Sequence, residues 1–232
     1  DQTSGGLIVD YAIDAGATKA NVGGQVELMS GALNEFQDGP TVGSAFLVAT
    51  RPAGLHYDYE VDSYLVAGWY NLQHRLSDGL RGRDRLRLEC LDSDYTNNHI
   101  VGNTKDDGTP CGFGGCLYSR PESRTDSFTN VGARLGVEKD LSAGLLYASV
   151  SSGFRPPQVT ELYRLRGGQT VADLDSERLT AFEAGFKNDA VAVAAFVERT
   201  RDFLFRDADA FCDSGGRTRA ARVEFGGNNA IG

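Results

Sequence analysis

The residues able to do chemistry fall into four groups: cysteines, histidines, clustered acids, and aromatic and arginine side chains on long connections. Cys111 and Cys116 bracket Gly112-Phe113-Gly114-Gly115. So short and glycine-rich a segment brings two Cα atoms within the roughly 4.4 to 6.8 Å that a disulfide needs, as an oxidising compartment would allow. A disulfide is the expectation, with a metal site or two free thiols as alternatives; no second Cys or His pair completes a zinc set. Cys90 reads as a small apolar strand residue, and Cys212 as a loop residue without an assigned partner. His56, His74 and His99 follow no ligand spacing and are expected to be ordinary polar residues. Asp92, Asp94, Asp106 and Asp107 lack the spacing of a calcium loop, so a solvated acidic rim is expected, with cation binding as the alternative. Ser151 and Ser152 precede a glycine but sit in no Gly-x-Ser-x-Gly turn, and no base is identifiable. Neither a catalytic centre nor a cofactor is expected. Candidate ligand contacts are Phe113, Tyr118, Tyr163, Arg164 and Arg166, which combine aromatic and cationic groups. For each of them, loop packing and solvation is the alternative.

Composition bounds the elements that must position these side chains. The chain has 232 residues and a net charge of −9, with a mean hydropathy of −0.31. That size suits one or two domains. The acidic balance argues against nucleic acid, since phosphate binding wants a basic face. No stretch approaches the roughly 18 consecutive apolar residues of a membrane helix, and the start has no basic-then-apolar signal order. Asp1 is not an initiator Met, which suggests a processed chain or a fragment. The 29 glycines against six prolines, with nine Tyr and twelve Phe beside a single Trp, favour β-structure with many turns. No internal repeat suggests a solenoid or propeller.

Alternation of apolar and polar residues marks the strands. Leu7 to Asp14 reads as one, and Lys19 to Phe36 as the next, with Val22, Val26 and Leu28 among its apolar residues. Asp38 to Asp58 is loop-rich. Tyr59 to His74 carries Tyr64, Val66, Tyr70 and Leu72 on one parity, and a polar connection runs from Arg75 to Asp84. In Arg85 to Asp94, Leu86, Leu88 and Cys90 oppose Arg85, Arg87 and Glu89. Tyr95 to Asp126 is far longer than the median connection of about 4 to 6 residues, and so is expected to be functional or disordered. Ser127 to Glu138 alternates again, and a tight turn at Lys139 to Ser142 leads to a strand with Leu146, Ala148 and Val150 on one face. Pro156 and Pro157 remove two amide donors, so that strand must stop and pass into an irregular segment carrying Glu161, Leu162 and Tyr163. Glu177 to Lys187 and Ala190 to Arg206 read as a pair joined by a two-residue turn at Asn188-Asp189, and Arg217 to Phe225 as a last strand after a loop from Asp207 to Gly216.

Long and short connections alternate, as they do when all long loops leave one end of an up-and-down sheet. One parity is rich in Arg, Glu, Asn and Gly, while the other carries small or branched apolar groups. Several runs reach about ten residues, the length that crosses a bilayer at a tilt, whereas strands in soluble sandwiches run about 5 to 6. Apolar outside and polar inside is the signature of an outer-membrane barrel, whose overall hydropathy is ordinary because only alternate residues meet lipid. The fold class expected is therefore all-β: an antiparallel up-and-down transmembrane β-barrel, here a partial barrel of roughly eight or nine strands. Cys90 then reads as a small apolar lipid-facing or strand residue. Arg85, Arg87 and Arg134 are expected to line the lumen and pair with Glu89 and Glu138, with ligand steering as the alternative.

The segment YASVSSGFRPPQVTELY resembles the part of TonB-dependent outer-membrane receptors in which a Tyr-Ala-rich strand end is followed by Gly-Phe-Arg-x-Pro and then Glu-Leu-Tyr. LDSERLTAFEAG, from Leu174 to Gly185, is similar to the family's Leu-x-x-Glu-x-x-x-x-x-Glu-x-Gly strand. Thr218 to Phe225 is similar to its Gly-Val-Glu strand, with Ala221 or Arg222 where the glycine usually stands. The resemblance covers the chain from about Tyr57 onward and implies a barrel of about 22 strands with a plugged lumen. It further implies energy-coupled uptake of a scarce small ligand, such as an iron chelate or cobalamin, with outer-membrane lipid and the TonB energy-coupling complex as partners. All 232 residues are then expected to belong to the barrel domain, with plug and remaining strands absent. A passive porin-type barrel is the nearest alternative, and a soluble secreted β-sandwich or adhesin an alternative of another class.

Overall fold

The computed structural model describes residues 1–169 and 172–204. In chain order the elements are β1 (Gln2–Ala15), β2 (Thr18–Gln37), α1 (Ala45–Thr50), β3 (Gly54–Ser77), β4 (Leu80–Asn97), β5 (Tyr118–Ser119), β6 (Arg124–Leu141), β7 (Gly144–Arg155), α2 (Val159–Leu162), β8 (Leu165–Arg166), β9 (Glu177–Lys187) and β10 (Ala192–Arg201). Eight of the strands form one antiparallel sheet in the order β1-β2-β3-β4-β6-β7-β9-β10, and β5 pairs separately with β8. Within the described residues the sheet is open, with β1 and β10 as its edges. The expected partial up-and-down barrel is what forms. The strand expected at Arg217 to Phe225, the loop before it and Cys212 lie outside the described residues.

The strands are longer than the alternation alone marks. The polar run Arg75 to Asp84 is not a connection: β3 continues to Ser77 and β4 starts at Leu80, leaving a two-residue turn at Asp78-Gly79. Arg81 and Arg83 in that run face the concave side, where both meet Glu138, so their polarity marks a lumen face rather than a strand end. Gly79 supplies the positive φ of 67° that this turn requires. Between β9 and β10 the turn takes four residues instead of two. The Asn188 side-chain oxygen accepts the amides of Ala190 and Val191 at 3.0 and 2.8 Å, closing an Asx-type turn. After Pro156-Pro157 the chain is not irregular but forms the one-turn α2, where the Glu161 carboxylate accepts the Gln158 amide at 2.7 Å.

Short turns at one end therefore face long connections at the other, residues 38–53, 98–123 and 156–176. The convex face between the ends is apolar and uncovered. Val66 and Tyr70 on β3, Leu88 on β4, Leu135 on β6 and Phe182 on β9 are all exposed. On β3 the outward apolar stretch runs from Tyr64 to Leu72, close to the roughly 9–11 residues of a tilted membrane-crossing strand, with a tyrosine near either end. The concave face is polar and paired. Arg87 bonds Glu89 at 2.7 Å and reaches Gln25 at 3.1 Å. Arg134 donates to Ser149 at 3.0 Å and lies 4.0 Å from Glu183. Of the expected lumen pairs, that of Arg87 with Glu89 forms, while Glu138 is taken by Arg81 and Arg83 instead of Arg134.

Candidate functional site

At the long-loop end, two connections fold back over the concave face. Tyr57, Tyr59, Val61 and Tyr95 from β3 and β4 form a floor, on which Cys111, Cys116, Tyr118, Leu162 and Tyr163 of the loops pack. Tyr95 and Tyr163 stack with ring centroids 4.3 Å apart, and the Tyr163 hydroxyl donates to Asp126 at 2.8 Å. Burial, reinforced by the bond to Asp126, holds the Tyr163 phenol protonated well above the usual tyrosine range. The aromatic floor turns what sequence marks only as long loops into a cap with its own apolar core.

The connection between β4 and β6 is organised by Arg120, which is 1% exposed. Its guanidinium donates to the carbonyls of His56 at 3.1 Å and Thr104 at 2.8 Å, to the Thr104 hydroxyl at 2.8 Å, and to the Ile100 carbonyl. No carboxylate pairs with it among the described residues. Five fixed N–H donors let one arginine on the returning limb of the loop collect carbonyls from the outgoing limb and from β3. Asn103 adds bonds to the carbonyls of Cys116, at 2.6 Å, and Tyr118. Cys111 and Cys116 are joined in a disulfide with Cα atoms 5.0 Å apart. The closed turn is stitched to α1, with the Gly112 amide on the Ala49 carbonyl at 3.1 Å and the Leu117 amide on the Thr50 carbonyl at 2.9 Å.

Two of the three histidines lie in this cap, where each contacts a backbone carbonyl. His56 is 1% exposed, lies 2.7 Å from the Pro52 carbonyl through Nε2 and stacks on Tyr118 at 4.3 Å. His99 lies 3.3 Å from both the Leu55 carbonyl and Asp106 through Nε2. Only His74, near the short-turn end, pairs simply with a hydroxyl, that of Thr18 at 2.6 Å. The acids expected as one rim separate: Asp92 and Asp94 sit on the convex face of β4, while Asp106 and Asp107 lie in the loop. Hydrogen bonds from Thr109 hold the Asp107 carboxyl below the usual carboxylate range. No group of three or more metal-binding side chains occurs among the described residues.

The five candidate ligand residues do not share one surface. Tyr118 and Tyr163 are 5% and 0% exposed and belong to the cap core. Phe113 is 70% exposed, held at φ 52° and packed edge-on against Phe46 of α1 at 5.6 Å. Arg164 is half-exposed, lies over the Tyr57 ring at 5.7 Å and pairs with Glu35. Arg166 is partly buried, its backbone paired with that of Tyr118. Sequence reasoning missed the carboxylate that gathers this edge: Glu35 also binds Arg51 at 3.2 Å and lies 3.7 Å from His56 Nδ1. One carboxylate beneath two half-exposed guanidiniums leaves positive charge facing outward. No local pattern links Glu35 to Arg164, 129 residues away.

A family model described as TonB dependent receptor-like, beta-barrel, matches residues 10–230. Among solved structures, the fold is similar to the ferric yersiniabactin uptake receptor FyuA from Yersinia pestis, at 15% identity and a TM-score of 0.50, over 88% of this chain and 29% of that one. The siderophore receptor PiuA from Acinetobacter baumannii gives 16% identity and a TM-score of 0.48, over 87% of this chain and 31% of that one. No curated protein matches in sequence. The chain thus spans about a third of the length of these two receptors. The alternating connections, the apolar convex face and the family model agree with the resemblance carried by the GFRPPQVTELY segment, and the chain belongs to the TonB-dependent receptor β-barrel family.

Proposed function

We propose that this chain is part of the barrel of an outer-membrane receptor that captures a scarce small ligand on its external loops and passes it inward with energy delivered by TonB. The observation that carries the reading is the family match over residues 10–230. The cap supports it: a rigid, aromatic-floored structure presents Phe113, Arg51 and Arg164 at the long-loop end, where a ligand arriving from outside would meet them. Tyr118 and Tyr163 then serve the site by packing beneath it, and Arg166 through the β5–β8 pair. The aromatic surface and outward positive charge suit an anionic ligand with flat or apolar parts. Ferric chelates head the candidates, because the similar FyuA is described as a ferric yersiniabactin uptake receptor; cobalamin and glycans follow.

The test is growth of a strain lacking the full-length receptor on a panel of ferric chelates, cobalamin and glycans as sole sources. Loss of growth on one ligand, reproduced by disrupting TonB, supports the proposal. Growth that survives loss of TonB but not of the receptor would make the barrel a passive pore. Recovery of the parent protein only in the aqueous fraction would remove it from the membrane altogether.

A further inference from the structure

Arg155, the last residue of β7, ties three elements together. Its Nε donates to Glu177 on β9 at 2.8 Å, and its two terminal nitrogens donate to the two carboxylate oxygens of Glu161 in α2 at 3.0 and 3.1 Å. Such a two-point bond fixes orientation as well as distance. Both acids are themselves anchored. Glu177 also accepts the Leu204 amide at 2.6 Å, and Glu161 the Gln158 amide at 2.7 Å.

The fork stands where the backbone gives no direction. Pro156 and Pro157 carry no amide hydrogen, so the chain leaves β7 without a ladder bond. The backbone hydrogen bonds of α2 close within residues 158–163, and among the described residues none joins 156–164 to the main sheet. Side chains set the course of this stretch instead. Leu162 and Tyr163 pack down into the aromatic floor, which fixes the height of α2, but apolar contact is non-directional. The stack of Tyr163 on Tyr95 and its one bond to Asp126 make a pivot about which a single helical turn can rotate. The Arg155 fork, at the other end of that turn, stops the rotation. Glu161 and Arg164 stand three residues apart on one side of the turn, so they move together. Arg164 must reach Glu35 on β2, which already holds Arg51 from another loop. Its place at the long-loop end is therefore set from β7 and β9, on the far side of the sheet order from β2.

We propose that Arg155 is a positioning residue for ligand capture: its fork to Glu161 and Glu177 orients α2 so that Arg164 stands beside Glu35 at the long-loop end. The proposal rests on the capture reading above. The test uses the full-length receptor in outer membranes, and Arg164 is followed first with no ligand present. Phenylglyoxal modifies accessible guanidiniums, and mass spectrometry reads the rate at each arginine. In Arg155→Met and in Glu161→Gln, Arg164 should react about fivefold faster, the effect of losing a partly exposed ion pair, while Arg51 should keep its rate. Glu161→Gln retains an acceptor for the Gln158 amide and leaves the pair of Arg155 with Glu177, so it decides the matter alone if Arg155→Met does not fold. Capture is then read as uptake of radioactive iron supplied as ferric citrate, a ferric catecholate or a ferric hydroxamate. For a chelate that the wild type takes up, the half-saturating concentration should rise about fivefold in both variants, with the maximal rate per folded receptor unchanged. Arg164→Met should show a similar rise, and adding Arg155→Met to it should change nothing more. An unchanged Arg164 rate in both variants, or a fall in maximal rate with half-saturation constant, would overturn the proposal. If the wild type takes up none of the three chelates, the ferric-chelate reading fails, and the Arg164 rate decides the positioning role by itself.

Discussion

Replacing Arg120 with methionine should open the cap while leaving the barrel in place. Methionine fills a similar path through the core but donates nothing, so the carbonyls of His56, Ile100 and Thr104 and the Thr104 hydroxyl lose their partner. Each buried acceptor left unpaired costs about 1–3 kcal/mol. Water reaches the Thr104 side once the loop loosens, and relief of the guanidinium's own burial offsets part of the loss. A net local cost of about 3 kcal/mol results, which is roughly a hundredfold in the population of the opened loop. Lys105 offers the readout. Its amide bonds Thr109 at 2.8 Å and its carbonyl accepts from Gly108 at 3.1 Å, so a protease reaches that peptide only when the turn opens. Tryptic cleavage at Lys105 on intact cells should accelerate about a hundredfold in R120M, and by less in R120K, whose single ammonium reaches fewer of the carbonyls. Heat-modifiable mobility should be unchanged in both. Cleavage at the wild-type rate would refute the role given to Arg120.

Three further outcomes follow from the same geometry. The Tyr163 phenol ionises at about 10 in an unfolded chain and higher in the cap, so the folded form keeps a proton that the unfolded form loses. Cap stability should therefore be flat below about pH 10 and fall above it, with a gentler slope in Tyr163→Phe, as read by cleavage after Arg164. Reducing Cys111–Cys116, or replacing both by alanine, should weaken the α1 contact by about 2 kcal/mol on the chain-entropy model for so short a loop, read as faster hydrogen exchange at the amides of Gly112 and Leu117. At Gly23 a Cβ would come within 2.5 Å of the Trp69 indole, so Gly23→Val should displace that ring from Arg87 and Asp10. The cost of about 1–3 kcal/mol should appear as less folded receptor and altered Trp fluorescence.

The barrel was legible because its physics is local. A strand between lipid and lumen must alternate residue by residue, so β4 and β6 declared both faces, and β9 was read from Glu177 to Lys187 in full. Strand ends were harder: Arg81 and Arg83 look like a polar connection until Glu138 on the neighbouring strand is placed beside them. The cap was legible only as length. The disulfide could be foreseen because only four residues lie between its halves, but Arg120 gathers carbonyls from as far away as His56, and Glu35 draws Arg51 and Arg164 from different loops. Tyr118 and Tyr163 carry an aromatic signal that reads the same for a ligand contact as for a core. Burial alone separates the two, and burial depends on contacts between distant segments.

If β4 is a barrel strand, its even-numbered residues face lipid and its odd-numbered ones the lumen. A nitroxide on Cys90 of the full-length receptor, with Cys212 replaced by serine, reports this in native outer membranes, with Glu89→Cys in a Cys90→Ser background as the counterpart. The label at 90 should be broadened by oxygen and shielded from a water-soluble nickel chelate, with the order reversed at 89. A label at 90 that meets the nickel chelate as readily as the one at 89 would contradict it.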